Sequence, residues 1–165
     1  IIFTGDNGTD RRITSKWTDG KVTRSVHGGK GTMTDAGTRV PLIASWPGVV
    51  KPGSVCDDLV DFSDFLPTFV DVGRAKPSPK PVNGRSFAAQ LRGEQGQPRD
   101  WIHVQDHNKR YVRNRAFILT TDGDLRRVVQ IGQSQSKPLQ PPLDAAAQAA
   151  KATLQAALSQ TAEKD

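Results

Sequence analysis

The sequence predicts an α/β chain that closes in a small antiparallel sheet and a C-terminal helix. Three observations lead there. The apolar, β-branched runs at residues 1–3 and 40–46 each end in turn residues, as strands do. Asp122-Gly123 is a hairpin signal between two further apolar segments. Residues 143–160 are rich in alanine, the best helix former, and Leu143, Ala147, Ala150, Leu154 and Leu158 recur at spacings of three and four.

The elements follow in order. Ile1-Ile2-Phe3 is a short strand closed by Asp6-Asn7-Gly8. Residues 9–26 are polar with little periodicity and read as a loop. The run 40–46 is a strand broken by Pro47-Gly48, and 59–62 reads as another short strand. Ser63 or Asp64 caps a helix reaching Val72, with Pro67 in its first turn, Gly73 as its stop, and Phe65, Leu66, Phe69, Val70 and Val72 on its apolar faces. Asp61 and Asp64 are expected to serve capping and strand-end solvation. A proline-rich connector spans 76–81. Ser86 then caps a short helix that turns Phe87 and Leu91 to the core. Strands are expected at 101–105, 111–113, 116–121 and 125–131. A polar, proline-rich link (133–142) leads to the last helix, and 161–165 should fray. This divides the chain into residues 1–97 and 98–165.

Composition narrows the function. At 165 residues a core is possible, although only 35% of residues are hydrophobic and mean hydropathy is −0.53. The net charge of +6 makes polyanion binding a competing reading. The basic residues are scattered, without zinc spacing or an aromatic RNA-binding signature, which argues against nucleic acid. One cysteine excludes an internal disulfide. No apolar run approaches the ~20 residues of a membrane span. His103, Asp106 and His107 lie in strand or loop sequence, where His103 and His107 do not form a closed zinc set.

Two stretches carry chemistry. Asp6 beside Asn7 offers two hard oxygen donors, suited to Ca²⁺ or Mg²⁺, and equally suits a plain turn. Lys30 lies between Gly29 and Gly31, where the backbone can approach a ligand and the ammonium can face an anion. A solvated loop lysine has the same pattern. Trp17 reads as a substrate-contacting aromatic or as packing over its own loop.

Together these stretches resemble the sulfatase family. Thr4-Gly5-Asp6-Asn7-Gly8 is similar to its Thr-x-Asp-Asn-Gly. Gly29-Lys30-Gly31-Thr32, followed by Asp35-Ala36-Gly37-Thr38-Arg39-Val40-Pro41, is similar to its Gly-Lys-Gly-Thr and Glu-Gly-Gly-x-Arg-Val-Pro. Trp46-Pro47-Gly48, Asp64-Phe65-Leu66-Pro67-Thr68 and Asn83-Gly84-Arg85-Ser86 continue the likeness in the family's order, good to about Gly93. Arg113, Phe117 and Leu119 match a pattern of the family's second sheet. Two departures stand out. Asp35-Ala36 replaces Glu-Gly, and Ala36 would be strained if positive φ were required there. The family's formylglycine motif, Cys/Ser-x-Pro-Ser/Ala-Arg, is absent, as Cys56 has neither the Pro nor the Arg. The early Asp-Asp metal pair is absent too.

The resemblance implies a C-terminal part of an alkaline-phosphatase-like sandwich with a mostly parallel central sheet. It implies one divalent cation, Ca²⁺, with Asp6 and Asn7 as ligands. It also implies Lys30 as the charge that neutralises the sulfate, His27 as a further contact, and Arg39 as structural. The nucleophile, a formylglycine, is expected upstream in a missing N-terminal half, so the chain alone is expected to be inactive on sulfate esters. The Ile1-Ile2-Phe3 strand is then expected to leave an exposed apolar edge, with marginal stability or association. A periplasmic or secreted setting is implied. A non-catalytic module for polyanions or sulfated glycans remains open, as does a related phosphatase or phosphodiesterase, against which Gly-Lys-Gly-Thr argues.

Overall fold

In the computed structural model, residues 1–129 and 137–162 are described. The chain forms two compact units, one of Ile1–Ile2 with Ile43–Ile102 and one of Phe3–Leu42 with the residues from His103 onward.

In the second unit, the polar stretch expected as a loop is a β-hairpin. β2 (Thr14–Asp19) pairs antiparallel with β3 (Val22–His27), from Thr14 opposite His27 to Asp19 opposite Val22. The turn takes Gly20 at φ +58°, a conformation glycine adopts freely. Threonine and valine favour the extended backbone, and one side of the ladder is only sparsely apolar, with Trp17, Val22 and Val26 interrupted by Ser15 and Arg24. That interruption is why alternation did not reveal it.

The same unit holds a four-stranded sheet in sequence order. Its strands are β5 (Ile102–Asp106), β6 (Lys109–Arg113), β7 (Phe117–Thr120) and β8 (Leu125–Arg127). β6–β7 and β7–β8 are antiparallel. Helix α4 (Ala145–Ala162) packs on β6 and β7. Its buried stripe is Ala147, Ala150, Leu154 and Ala157. By register, the buried Val112, Phe117, Leu119 and Leu125 share one face of the sheet, and Tyr111, Arg113 and Ile118 share the other. Leu143 and Leu158 are half-buried at the stripe's margin. Asp144 caps α4, accepting from the Ala147 amide at 2.7 Å, and receives Arg127 at 2.5 Å. The expected strand end at Ile131, much of the 133–142 link and the last three residues of the fraying end lie outside the described residues.

In the first unit, a 3₁₀ turn (Phe62–Asp64) runs into α2 (Phe65–Val72), with α3 (Ala88–Leu91) beyond. Asp61 caps the turn by accepting from the Ser63 amide. Asp64 completes a capping box with Asp61 around this turn, in line with the expected capping, but it is buried rather than solvated. It is 2% exposed and receives the Arg99 guanidinium, the Asp61 amide (2.8 Å) and the Arg85 amide (2.6 Å). Arg99 also donates to Ser63 Oγ (3.1 Å) and to the Asn83 carbonyl (2.9 Å). The strand expected at 59–62 reduces to one bridge between Leu59 and Arg99. Phe65 stacks on Phe62 and meets Phe69 and Phe87 edge-on. Leu66 and Phe69, on the helix's apolar faces, are more than half exposed.

β1 (Ile2–Thr4) and β4 (Leu42–Ala44) form a two-stranded sheet. Beside it, Ile1 and Ser45 exchange both backbone hydrogen bonds at 2.8 Å, the pattern of an antiparallel pair. The mostly parallel central sheet and the sandwich expected from the resemblance do not appear among the described residues. A central strand is buried on both faces, whereas here Ile1 is 94% exposed, Phe3 61% and Ile43 58%.

Candidate functional site

Asp6-Asn7-Gly8, Gly28-Gly29-Lys30 and the single-turn helix α1 (Asp35–Thr38) interlock within the second unit. The Gly8 amide donates to the Gly37 carbonyl at 2.9 Å, and the Lys30 amide to the Thr9 carbonyl at 2.9 Å. A Cβ on Gly8 would lie 1.8 Å from the Ala36 carbonyl oxygen, and one on Gly29 would lie 2.6 Å from Ala36 Cβ. Only glycine permits these approaches. The loop closes on itself where Thr32 donates to the Gly29 carbonyl at 2.7 Å and its hydroxyl meets Thr34 at 2.7 Å. Gly31 takes φ +75°. Ala36 sits in α1 at negative φ, so the replacement of glycine there costs nothing of the kind anticipated.

α1 is fixed from β6. Arg113 donates to Asp35 at 2.8 Å, and the Tyr111 and Thr38 hydroxyls share a hydrogen bond at 2.8 Å. Arg113 came from one loose pattern and Asp35 from another, and the pairing between them is absent from the linear sequence. Arg39 reaches Asp35 only at 3.9 Å.

The predicted site residues sit as follows. Asp6 is exposed and Asn7 half-buried, and among the described residues neither side chain has a hydrogen bond or ion pair. Lys30 is exposed. His27 closes the hairpin, its Nδ1 against the Thr14 hydroxyl at 2.9 Å. Asp10 was not singled out by sequence reasoning. Arg12 holds its carboxyl down at about 2 through side-chain and backbone hydrogen bonds, and the Lys30 charge adds to the effect. Cys56 is free and exposed. The Asp106 carboxylate is 3.7 Å from His107, and among the described residues no three His, Cys, Asp or Glu side chains gather as a metal site. Asp6 and Asn7 offer two free oxygen donors, a partial fit to a calcium shell of six to eight oxygens.

The stretch from His27 to Asp122 matches the model of the family described as N-sulphoglucosamine sulphohydrolase, C-terminal. The chain belongs to this sulfatase family. It is 34% identical over 89 residues to an ulvan-active sulfatase of Formosa agariphila, covering 54% of this chain and 18% of that protein. It is 33% identical over 99 residues to human arylsulfatase A, covering 60% and 19%. It is 34% identical over 68 residues to mouse steryl-sulfatase, covering 41% and 11%. The chain therefore spans less than a fifth of the length of these sulfatases. His27, Lys30, the α1 turn and the antiparallel sheet through β7 all lie inside the family match.

Tyr111 reports on the packing beneath α1 and is the one tyrosine of the sequence. Burial pushes its phenol above the ordinary 10.0, against a smaller opposing pull from the Thr38 hydrogen bond. The folded state thus favours the neutral phenol. That contribution to stability is complete below pH ~10 and is lost as pH rises through the folded value. In a spectroscopic titration the phenolate band should appear at higher pH in the native chain than in denaturant. Coincident midpoints would show that Tyr111 is not buried.

Proposed function

We propose that this chain carries the cation- and sulfate-binding part of a site that hydrolyses sulfate esters. Asp6 and Asn7 act as oxygen ligands to one divalent cation, Lys30 neutralises the sulfate and the departing oxygen, and His27 is a further contact. The observation supporting this most directly is the convergence of Asp6-Asn7-Gly8 and Gly28-Gly29-Lys30 on the α1 turn through the Gly8–Gly37 and Lys30–Thr9 backbone bonds.

Calcium suits a carboxylate beside an amide oxygen, and when bound it supplies positive charge at a sulfate oxygen. Lys30 adds a fixed positive charge where negative charge develops, and its backbone is held before any substrate arrives. His27 has its Nδ1 engaged by Thr14, which leaves Nε2 to meet a substrate oxygen.

The sequence holds no Cys/Ser-x-Pro-Ser/Ala-Arg segment. The nucleophile and the remaining ligands are therefore proposed to come from chain outside these 165 residues, consistent with the short span of its relatives that the chain covers. A periplasmic or secreted setting is proposed with them. The purified chain is expected to release no 4-nitrophenol from 4-nitrophenyl sulfate, with or without calcium. Sustained calcium-dependent release would overturn the division of the site.

A second reading is favoured by charge. The +6 balance also suits a non-catalytic module for sulfated polymers. Binding of such a polymer that survives chelation and ignores Asp6→Asn would favour the module.

A further inference from the structure

We propose that one face of the β2–β3 hairpin is a subsite for a sulfated sugar chain whose reacting sulfate lies at Lys30, an assignment that rests on the sulfate-ester reading above. The register sorts the hairpin into two unlike faces. Thr14, Lys16 and Thr18 project on the same side as Thr23, Ser25 and His27, because these residues oppose one another and alternate along each strand. All six are exposed. Ser15, Trp17, Val22, Arg24 and Val26 project on the other side, where Arg24 and Val26 are half-buried and Ser15, Trp17 and Val22 are exposed. The hydroxyl-bearing face is thus the more fully exposed of the two.

That face is partly preorganised. The Thr18 and Thr23 hydroxyls meet at 2.9 Å, and Thr14 meets His27 at 2.9 Å. Each hydroxyl keeps further donor or acceptor capacity, which matches the mixed donor and acceptor groups of a sugar. Lys16 provides a compact charge for a sulfate. From His27 to Thr23 the face extends ~13 Å along β3 at ~3.3 Å per residue.

The hairpin also leads directly into the loop that holds Lys30. His27 is followed by Gly28, Gly29 and Lys30, and the Gly28 amide is fastened to the Ile13 carbonyl at 2.9 Å. A chain whose sulfate sits at Lys30 has His27 as its next neighbour and then the hydroxyl face. Charge complements this occupant. Residues 9–30 include Arg11, Arg12, Lys16, Lys21, Arg24 and Lys30 against two acids, Asp10 and Asp19, and Asp10 is engaged by Arg12.

Other occupants fit less well. A protein partner calls for an apolar centre, which this face lacks. A single-stranded nucleic acid calls for stacking aromatics, and the hairpin's aromatic residue, Trp17, projects from the opposite side.

The test is calorimetric titration of the 165-residue chain with a sulfated hexasaccharide, inorganic sulfate and an oligonucleotide of matched charge. The hexasaccharide should bind about ten-fold more tightly than sulfate. Lys16→Glu should remove about ten-fold of hexasaccharide affinity and leave sulfate affinity unchanged, while Lys21→Glu, an equal charge change in the turn, should cost less than about three-fold. Thr18→Ala and Ser25→Ala should weaken the hexasaccharide alone. All four positions are exposed, so these variants are expected to fold. Equal losses from Lys16→Glu and Lys21→Glu, no loss from Lys16→Glu, or equally tight oligonucleotide binding would overturn the subsite. Lys30→Ala tests the underlying reading separately. If it leaves sulfate affinity intact while Lys16→Glu still weakens the hexasaccharide, the sulfate-ester reading fails and the sugar-binding face stands.

Discussion

Arg99→Ala is expected to destabilise the unit built from residues 1–2 and 43–102 by about 3–5 kcal/mol. Asp64 is 2% exposed, and its carboxylate is satisfied by the Arg99 guanidinium together with two backbone amides. Removing the guanidinium leaves a buried charge without its counter-charge, the costly way to break such a pair. The same guanidinium ties Ser63 to the Asn83 carbonyl, so the loss also frees the segment before α3. Domains are stable by only about 5–15 kcal/mol, so a loss of this size unfolds a large share of the molecules. Urea unfolding followed by circular dichroism measures it. Arg99→Lys should recover part of the loss, because it restores charge without the fork. A change below about 1 kcal/mol, the range of surface pairs, would mean that Asp64 is solvated.

The second large effect is expected at Arg113, whose guanidinium is the link from β6 to Asp35 on α1. Arg113→Met should cost about 2–4 kcal/mol, below the upper end for a fully buried pair because Asp35 keeps some access to water. Loss of this anchor should loosen α1 and the Gly8 amide that donates to Gly37. Hydrogen exchange at Gly8 and Arg39 amides should therefore accelerate, since both donate to this turn. The double variant Asp35→Asn with Arg113→Met should lie closer to the wild type than Arg113→Met alone, because no unpaired carboxylate remains. Unchanged exchange at Gly8 would show that the ion pair does not support the loop cluster.

What the sequence revealed follows from what each signal measures. α4 was legible because alanine content and a three-and-four spacing report helix formation and burial together. The second sheet was legible from apolar runs around Asp122-Gly123. The hairpin at 14–27 was not, because one face is built from threonine, serine, lysine and histidine, and on the other Ser15 and Arg24 break the apolar alternation of Trp17, Val22 and Val26. Asp19-Gly20 between threonine- and valine-rich segments was the available clue. Asp6, Asn7 and Lys30 could be picked out by residue type, but their assembly depends on Gly8, Gly29 and Ala36 meeting across more than twenty residues. Asp64 does serve the capping box the sequence suggested, but its burial, decided by Arg99 thirty-five residues away, leaves no local signal.

The most direct measurement is an amide chemical-shift titration of the isotope-labelled chain with calcium and, separately, with sulfate. Calcium should move the Asp6 and Asn7 resonances and lose that effect in Asp6→Asn. Sulfate should move those of Gly28 to Thr32 and lose that effect in Lys30→Ala. Shifts confined to other parts of the chain, or shifts at these residues that survive both substitutions, would contradict a cation and sulfate site at this loop cluster.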